Sequence, residues 1–441
     1  MHMLIFTKDQ ESRVHLDKKF HSLGINELAI QTGFFKRQPK KIDPSNLLVS
    51  FFTMINGKNN SLSSIAVTLG LLQKKRISKQ AVDKRINVAW VDFLRAFLER
   101  TLSHYIQIKR TFTDGSALSV FNRVLIQDST SIALAPKLIK QFPGTRNGSG
   151  HSTAMMKIQY IFNLLTERFV LFDISSFSKN DQSASSDILK WIQPGDLVLR
   201  DFGYFALDVF KKIHSLNAYF LSRLRHRLLV FDQDGKTCFG LVRRLRKDSL
   251  LDVPVCFGKE VKFSARLITI PVTDEVAASR RRKARRNRDR RTNPSKDHLF
   301  LMGWDIFITN VDRRMLSSEQ IAKLYRLRWR IEILFKSWKS HFHIMNVPKA
   351  SVVRVLAYVY ATLIFIVLFQ AFVYIRLYNE LRNNKNQLSL FKLSKFVKEQ
   401  SWAMMSFFRE PNRLDEQILY HCTYEPRKKR LNYNQLILAL S

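Results

Sequence analysis

The chain has 441 residues, and its 46% hydrophobic, 12% aromatic and 25% charged composition excludes a wholly disordered polypeptide. Lys and Arg number 73 against 36 Asp and Glu, a formal net charge of +37, so a polyanionic partner is expected whose binding weakens steeply with salt. Cys238, Cys256 and Cys422 form no C-x-x-C pair, which argues against a disulfide framework or a zinc site and for reduced thiols.

The opening stretch MHMLIFTKDQESRVHLDKKF has only a very short apolar run before charges begin and does not resemble a secretory signal, so a cytoplasmic location is expected. Residues 1–110 read as a helical region, with apolar residues at helical spacing over Pro44 to Met54 and Val88 to Leu102. Between these lies SLSSIAVTLGLLQKKRISKQAVDKRI, in which Ser61 and Ser78 can each cap a helix and Ala66 and Gly70 stand at the spacing of a helix-turn-helix. The second helix of the pair would carry Lys79, Gln80, Lys84 and Arg85, side chains suited to a DNA major groove; an ordinary helical hairpin fits the same residues.

Over residues 111–224 the periodicity changes. RVLIQDST, MMKIQYIFNLL and RFVLFDISS read as three strands, followed by a helix-like SASSDILKWI, a turn at Pro194 and Gly195, a strand LVLRD ending at Asp201, a helical FALDVFKKIHS and a strand AYFLSRL. That order predicts a mixed sheet. Residues 225–312 read as a β-rich insertion containing LLVFDQDGKTCFGLV, VKFSARLITIPV and HLFLMGWDIFITNV. Its basic run from Ser279 to Arg291 is expected to be a mobile loop, because so many like charges repel when compact, and it faces either DNA phosphates or plain solvent.

Residues 313–380 open on SSEQIAKLYRLRWRIEILFKSWKSHF, which predicts one long helix from Ser317 to Phe342, capped by Ser317 with Glu319 close behind. At about 100° per residue, Tyr325, Arg328, Glu332 and Lys339 fall within an arc of roughly 60°, opposite Leu327, Ile331, Leu334 and Trp338. A carboxylate flanked by two cations and a phenol suits a phosphate backbone passing a metal ligand; a salt-bridged surface helix is the plain alternative. Asp128 in LIQDST and Asp201 in LVLRDFGYF each end an apolar strand, so pairing of those strands brings two carboxylates toward Glu332 in an all-oxygen site suited to Mg²⁺. Asp173, the competing acid, is read as structural or turn-capping. The uncharged run from Val355 to Ile375 is about long enough to span a bilayer, but it contains Gln370 and is read as a buried central helix. Residues 381–441 are expected to be a helical C-terminal region.

The spacing of Tyr325, Arg328, Glu332 and Lys339 is Y-x2-R-x3-E-x6-K. With QDST around Asp128, RDFGYF around Asp201, RWRIEILFK around Glu332 and a β-rich insertion between the second Asp and the Glu, the chain resembles the DDE transposases of the insertion-sequence group marked by that signature, the IS-four type. The likeness spans residues 105–378. It implies an α/β fold: a ribonuclease-H-like mixed-sheet catalytic core with a β-rich insertion and a helical N-terminal DNA-binding region. It implies that Asp128, Asp201 and Glu332 are catalytic and hold two Mg²⁺ ions, with Mn²⁺ able to substitute, for cut-and-paste cleavage and strand transfer. Arg328 and Lys339 would orient transposon-end phosphates and Tyr325 would hydrogen-bond the backbone nearby. Trp304, in GWDIFITN, stands where relatives stack a Trp on an extruded base; a buried strand Trp is the alternative. The implied partners are double-stranded DNA, as transposon ends and target, and a second copy of the chain in a homodimer, on the nucleoid with no membrane. A catalytically silent DNA-binding relative and a nuclease on the same core remain alternatives, separated by an assay for joined products.

Overall fold

The computed structural model describes residues 20–36, 41–56, 61–106, 117–146, 152–225, 228–258, 262–286, 293–375, 377–378, 387–399, 418, 420–424 and 433–440. Within them the strands expected from the period-2 segments form β1 (Val124–Ala133), β3 (Ser152–Asn163) and β4 (Arg168–Ser176), joined by a short β2 (Pro143–Arg146) whose PGTR sequence carries no strand pattern. β5 (Leu197–Arg200) and β6 (Tyr219–Arg223) follow. β4, β3 and β1 are antiparallel neighbours, and β5 and β6 run parallel to β1, giving the order β4-β3-β1-β5-β6. This is the ribonuclease-H-like arrangement, three antiparallel strands continued by two parallel ones. Strand parity decides what each face buries: Ile126, Ile158, Tyr160 and Leu199 enter one core, while Leu125, Ile161, Val198 and Phe220 enter the other.

The β-rich segment after β6 extends the same sheet. β7 (Val230–Phe231), β8 (Leu251–Phe257), β9 (Phe263–Pro271) and β10 (Trp304–Thr309) add antiparallel strands in the order β6-β10-β9-β8-β7. Two parts of this segment differ from the expectation. LLVFDQDGKTCFGLV holds only the two-residue β7 before Asp234 turns the chain, accepting from the Lys236 and Thr237 amides, and a short helix follows at Leu241–Leu245. The first half of the basic run is helical, within Asp274–Arg285, rather than loop. Asp274 and Glu275 in its first turn and Arg282, Lys283 and Arg285 in its last oppose the helix dipole, and Arg280 reaches Asp305 at 2.7 Å. Residues 287–291 of that run lie outside the described residues.

The described part of the N-terminal region is helical: α1 (Ile25–Gln31), α2 (Pro44–Asn56), α3 (Leu62–Gln73), α4 (Lys79–Arg85) and α5 (Val88–Ile106). Ser61 and Ser78 cap α3 and α4 by accepting from the amides of Ser64 and Ala81. Gly70, in the last turn of α3, lets the following turn pass close by, since a Cβ there would stand 2.9 Å from the Lys75 carbonyl oxygen. α6 (Leu207–Ser215) covers the second core. The expected long helix is instead two, α7 (Ser318–Arg326) and α8 (Arg330–Ser340), separated by a 3₁₀ turn over Leu327–Trp329. Its two-sided pattern survives the break, for Leu327, Ile331, Leu334 and Trp338 are all buried. α9 (Val352–Leu368) continues as a π-helical turn through Tyr374, and the stretch Val352–Tyr374 is apolar and long enough to cross a membrane. In the fold it is 78% buried over its most apolar window and packs along α5, which is why it is apolar on every side.

Candidate active site

The parallel register of β1 and β5 pairs Val124–Ile126 with Leu197–Leu199. Two residues further on, Asp128 and Asp201 leave that ladder side by side. Asp201 follows the last residue of β5, as expected, but Asp128 does not end a strand. β1 runs on to Ala133 because β3 pairs with it throughout, opposite Asn163 to Met155, whereas β5 stops at Arg200 and opens that edge of β1 at Asp128. Asp128 stands opposite Tyr160, whose ring packs on Phe335 and Trp338 of α8 at 5.0 and 5.4 Å. The sheet face carrying Asp128 is therefore the face on which α8, bearing Glu332, lies.

One guanidinium stands among the three acids. Arg328, only 14% exposed in the 3₁₀ turn, lies 3.9 Å from Asp128, 3.9 Å from Asp201 and 3.2 Å from Glu332. Burial opposes the Arg328 charge, but Asp201, Tyr325, Asp128 and Glu332 outweigh it and hold the guanidinium above its ordinary pKa. Burial pushes the Asp128 carboxyl up to about 7, against the Ser129 amide, which donates to it at 2.8 Å, and against Arg328. Burial also raises Glu332, less exposed to its one cation than to the desolvation around it. Among the described residues no three acidic, imidazole or thiol side chains stand at ion-binding spacing as they are. The three carboxylates face a cation already in place, and their hard oxygen donors fit a divalent ion of the Mg²⁺ class.

Behind the acids lie residues that the sequence reading missed. Arg200, fully buried beside Asp201, donates to Gln127 Oε1 at 2.8 Å, to the Tyr204 carbonyl at 2.9 Å and to Ser185. It thus ties the neighbour of Asp128 to the turn that follows Asp201. Tyr325 donates its hydroxyl to the Arg200 carbonyl at 3.2 Å, so this phenol braces the end of β5. Arg330, two residues before Glu332, is buried against Glu167 at 2.9 Å and Tyr374 Oη at 2.5 Å, while Gln370 of the π turn donates to the Glu167 carbonyl. On the far face of the sheet, Asp181 accepts from Ser129 at 2.8 Å and Lys157 at 2.9 Å. The available signal was a charge within an apolar stretch, Arg200 in LVLRD and Arg330 in RWRIE.

The remaining sequence-chosen residues are more dispersed. Lys339 is exposed, its ammonium 5.6 Å from the Phe335 ring centre. Trp304 starts β10, donates its indole N–H to the Ser249 carbonyl and packs on Phe300. It shares the wall of a cavity of about 340 Å³ with Arg223, Arg280 and Phe202, the exposed residue directly after Asp201. Lys79, Gln80 and Lys84 of α4 are exposed, and Arg85 lies 5.0 Å from the Phe35 ring centre. Asp83 joins this helix to α9 through Arg354 at 2.6 Å. Asp173 pairs with Lys179 at 3.4 Å.

Several known proteins are similar to this chain. The transposase for insertion sequence element IS1151 of Clostridium perfringens is 28% identical over 381 residues, covering 81% of this chain and 80% of its own. The transposase for insertion sequence element IS231B of Bacillus thuringiensis subsp. berliner is 28% identical over 399 residues, covering 86% and 82%. Among solved structures, a piggyBac transposase synaptic complex with hairpin DNA aligns over 89% of this chain and 80% of that one, at 11% identity and a TM-score of 0.44. The family model for the transposase DDE domain matches residues 120–368, the span that holds all three carboxylates, and the chain belongs to that family of DNA-transposing enzymes.

Proposed function

We propose that this transposase binds the inverted repeats at the ends of its element and performs Mg²⁺-dependent cut-and-paste transposition, with Asp128, Asp201 and Glu332 as its catalytic residues. Enzymes of the family work with divalent metal. The observation that carries the assignment here is the convergence of these three acids, from β1, the end of β5 and α8, on a single guanidinium. Two Mg²⁺ ions, for which Mn²⁺ can substitute, would be held by these three carboxylates and would supply Lewis-acid activation of the attacking oxygen and stabilisation of the leaving 3′ oxygen.

The protein's own part is to hold and orient. Arg330 and Glu167 fix α8 from behind, and Arg200 and Tyr325 fix the end of β5, so the acids keep their places while DNA arrives. Arg328 and Lys339 orient the scissile phosphate without reading sequence. The Trp304 cavity, opening beside Phe202, accepts an extruded base. Residues 1–110, through Lys79, Gln80, Lys84 and Arg85 among others, recognise the element end. Residues 111–224 and 313–380 make up the catalytic core, 225–312 the insertion and 381–441 a helical C-terminal region. Two copies of the chain on two ends complete the active complex on the nucleoid.

The test is an in vitro reaction with the purified chain, a duplex carrying an element end, a target plasmid and Mg²⁺. Cleaved ends joined to the plasmid are expected from the wild type, and none from Asp128→Ala at undiminished end binding. Cleavage without joining would favour a nuclease, binding without cleavage would favour a silent relative, and cleavage by Asp128→Ala would refute the site.

A further inference from the structure

We infer that Arg328 serves as the internal counter-cation of the metal-free site, standing between Asp128, Asp201 and Glu332 and having to leave before divalent ions can enter. The inference rests on the reading of these acids as the metal ligands and adds a second duty for a residue otherwise assigned to DNA phosphate. The guanidinium lies within ion-pair range of all three carboxylates, at 3.9, 3.9 and 3.2 Å, with a hydrogen bond to Glu332, and only 14% of it is exposed. A single cation within reach of three acids brought from three distant segments lies where a shared ion must lie. Three anions left facing one another in a partly desolvated cleft would repel, so the arginine keeps the empty site from springing apart. A multivalent ion would offer the same acids a more concentrated charge at shorter range, and the guanidinium would then be free for an anion.

The location of Arg328 suits the exchange. It sits in the 3₁₀ turn between α7 and α8, where the backbone is not locked into one continuous helical ladder. The turn is held on both sides, by Tyr325 on the Arg200 carbonyl and by Arg330 on Glu167, so the side chain can swing while its anchors stay. The natural destination is a phosphate of the bound DNA strand. The acids would be released to metal at the moment substrate arrives, which would couple DNA binding to metal loading.

The test is calorimetric titration of the DNA-free, full-length chain with Mn²⁺, together with melting in EDTA. Arg328→Ala should bind Mn²⁺ more tightly than wild type, by about fivefold or more, and should melt at a lower temperature without metal yet gain more on adding Mn²⁺. Arg328→Lys, which keeps the charge but not the planar fork, should fall between the two and serves if the alanine variant does not fold. Unchanged or weaker Mn²⁺ affinity in the folded Arg328 variants, with wild-type binding abolished by Asp128→Ala, would overturn this inference alone. Mn²⁺ binding that survives Asp128→Ala, or none in the wild type, would instead overturn the ligand assignment on which it rests.

Discussion

The acidic cleft and the α3–α4 hairpin use the same basic side chains in opposite ways. Around the cleft, Arg200, Arg328 and Arg330 are buried or nearly so, and each is committed to named acceptors. On the hairpin, Lys74, Lys75, Arg76 and Lys84 are exposed, and with Lys41 and Arg85 they line a groove of about 1090 Å³ that Ile42, Ala66 and Val67 also border. The contrast shows that the formal charge of +37 is distributed between two different environments. Cations that fix geometry are desolvated and paired, whereas the hairpin cations stay in water, as the proposed phosphate contacts would require.

Substitutions should split along this division. The largest effect belongs to the acids: Asp128→Ala, Asp201→Ala or Glu332→Ala should each cut end cleavage by about a thousandfold or more while a mobility-shift assay shows end binding intact. Loss of binding in step with cleavage would erase the contrast. Next comes the brace behind α8, where Arg330→Met leaves Glu167 buried without its cation and should cost about 3–5 kcal/mol in urea denaturation. Replacing both partners by apolar residues should recover most of that loss, and equal losses in single and double variants would mean the pair is not coupled.

A smaller effect, of known sign, follows from Asp128. Its carboxyl is raised from 3.8 to about 7 by burial, so the folded state binds this proton more tightly than the unfolded chain does. The associated stability is fully present below about pH 4 and is lost as pH rises through 7. In EDTA, Asp128→Asn should therefore stabilise the protein at pH 8 by roughly 2–4 kcal/mol and change little at pH 4, as read from denaturant midpoints. A gain of equal size at both pH values would contradict the buried, desolvated placement. For the same reason metal binding should weaken as pH falls below 7, since the ligand must be ionised. The smallest effect belongs to the hairpin: Lys84→Ala should weaken end binding only modestly and lower the slope of log affinity against log salt by about 0.9 if it contacts one phosphate. An unchanged slope would remove Lys84 from the interface.

Much of this was legible in the sequence. Strand periodicity in RVLIQDST and MMKIQYIFNLL marks β1 and β3, although only the fold supplies the register that sets Asp128 opposite Tyr160, and the Ser caps at Ser61, Ser78 and Ser317 mark helix starts that the fold keeps. The signature spacing placed Glu332 and Arg328 on one side of the chain. It could not reveal the 3₁₀ break at Leu327–Trp329, because what holds the two sides, the Arg200 carbonyl and Glu167, lies 125 and 163 residues away. The brace at Arg200 was hidden because its acceptors lie on three separate segments, at Gln127, Ser185 and Tyr204, that only the fold brings together. The basic run misled because repulsion was counted without the acidic first turn of Asp274 and Glu275 or the Asp305 partner. Local rules locate charges; which charges become buried supports is decided by tertiary neighbours.

The most direct test is to crystallise the chain with Mn²⁺ and locate the metal by its anomalous scattering. The expected result is metal bound to Asp128, Asp201 and Glu332 at about 2.0–2.3 Å, with the Arg328 guanidinium withdrawn from the space it now holds among them. Metal bound elsewhere, or no metal in contact with any two of those carboxylates at saturating Mn²⁺, would contradict the account.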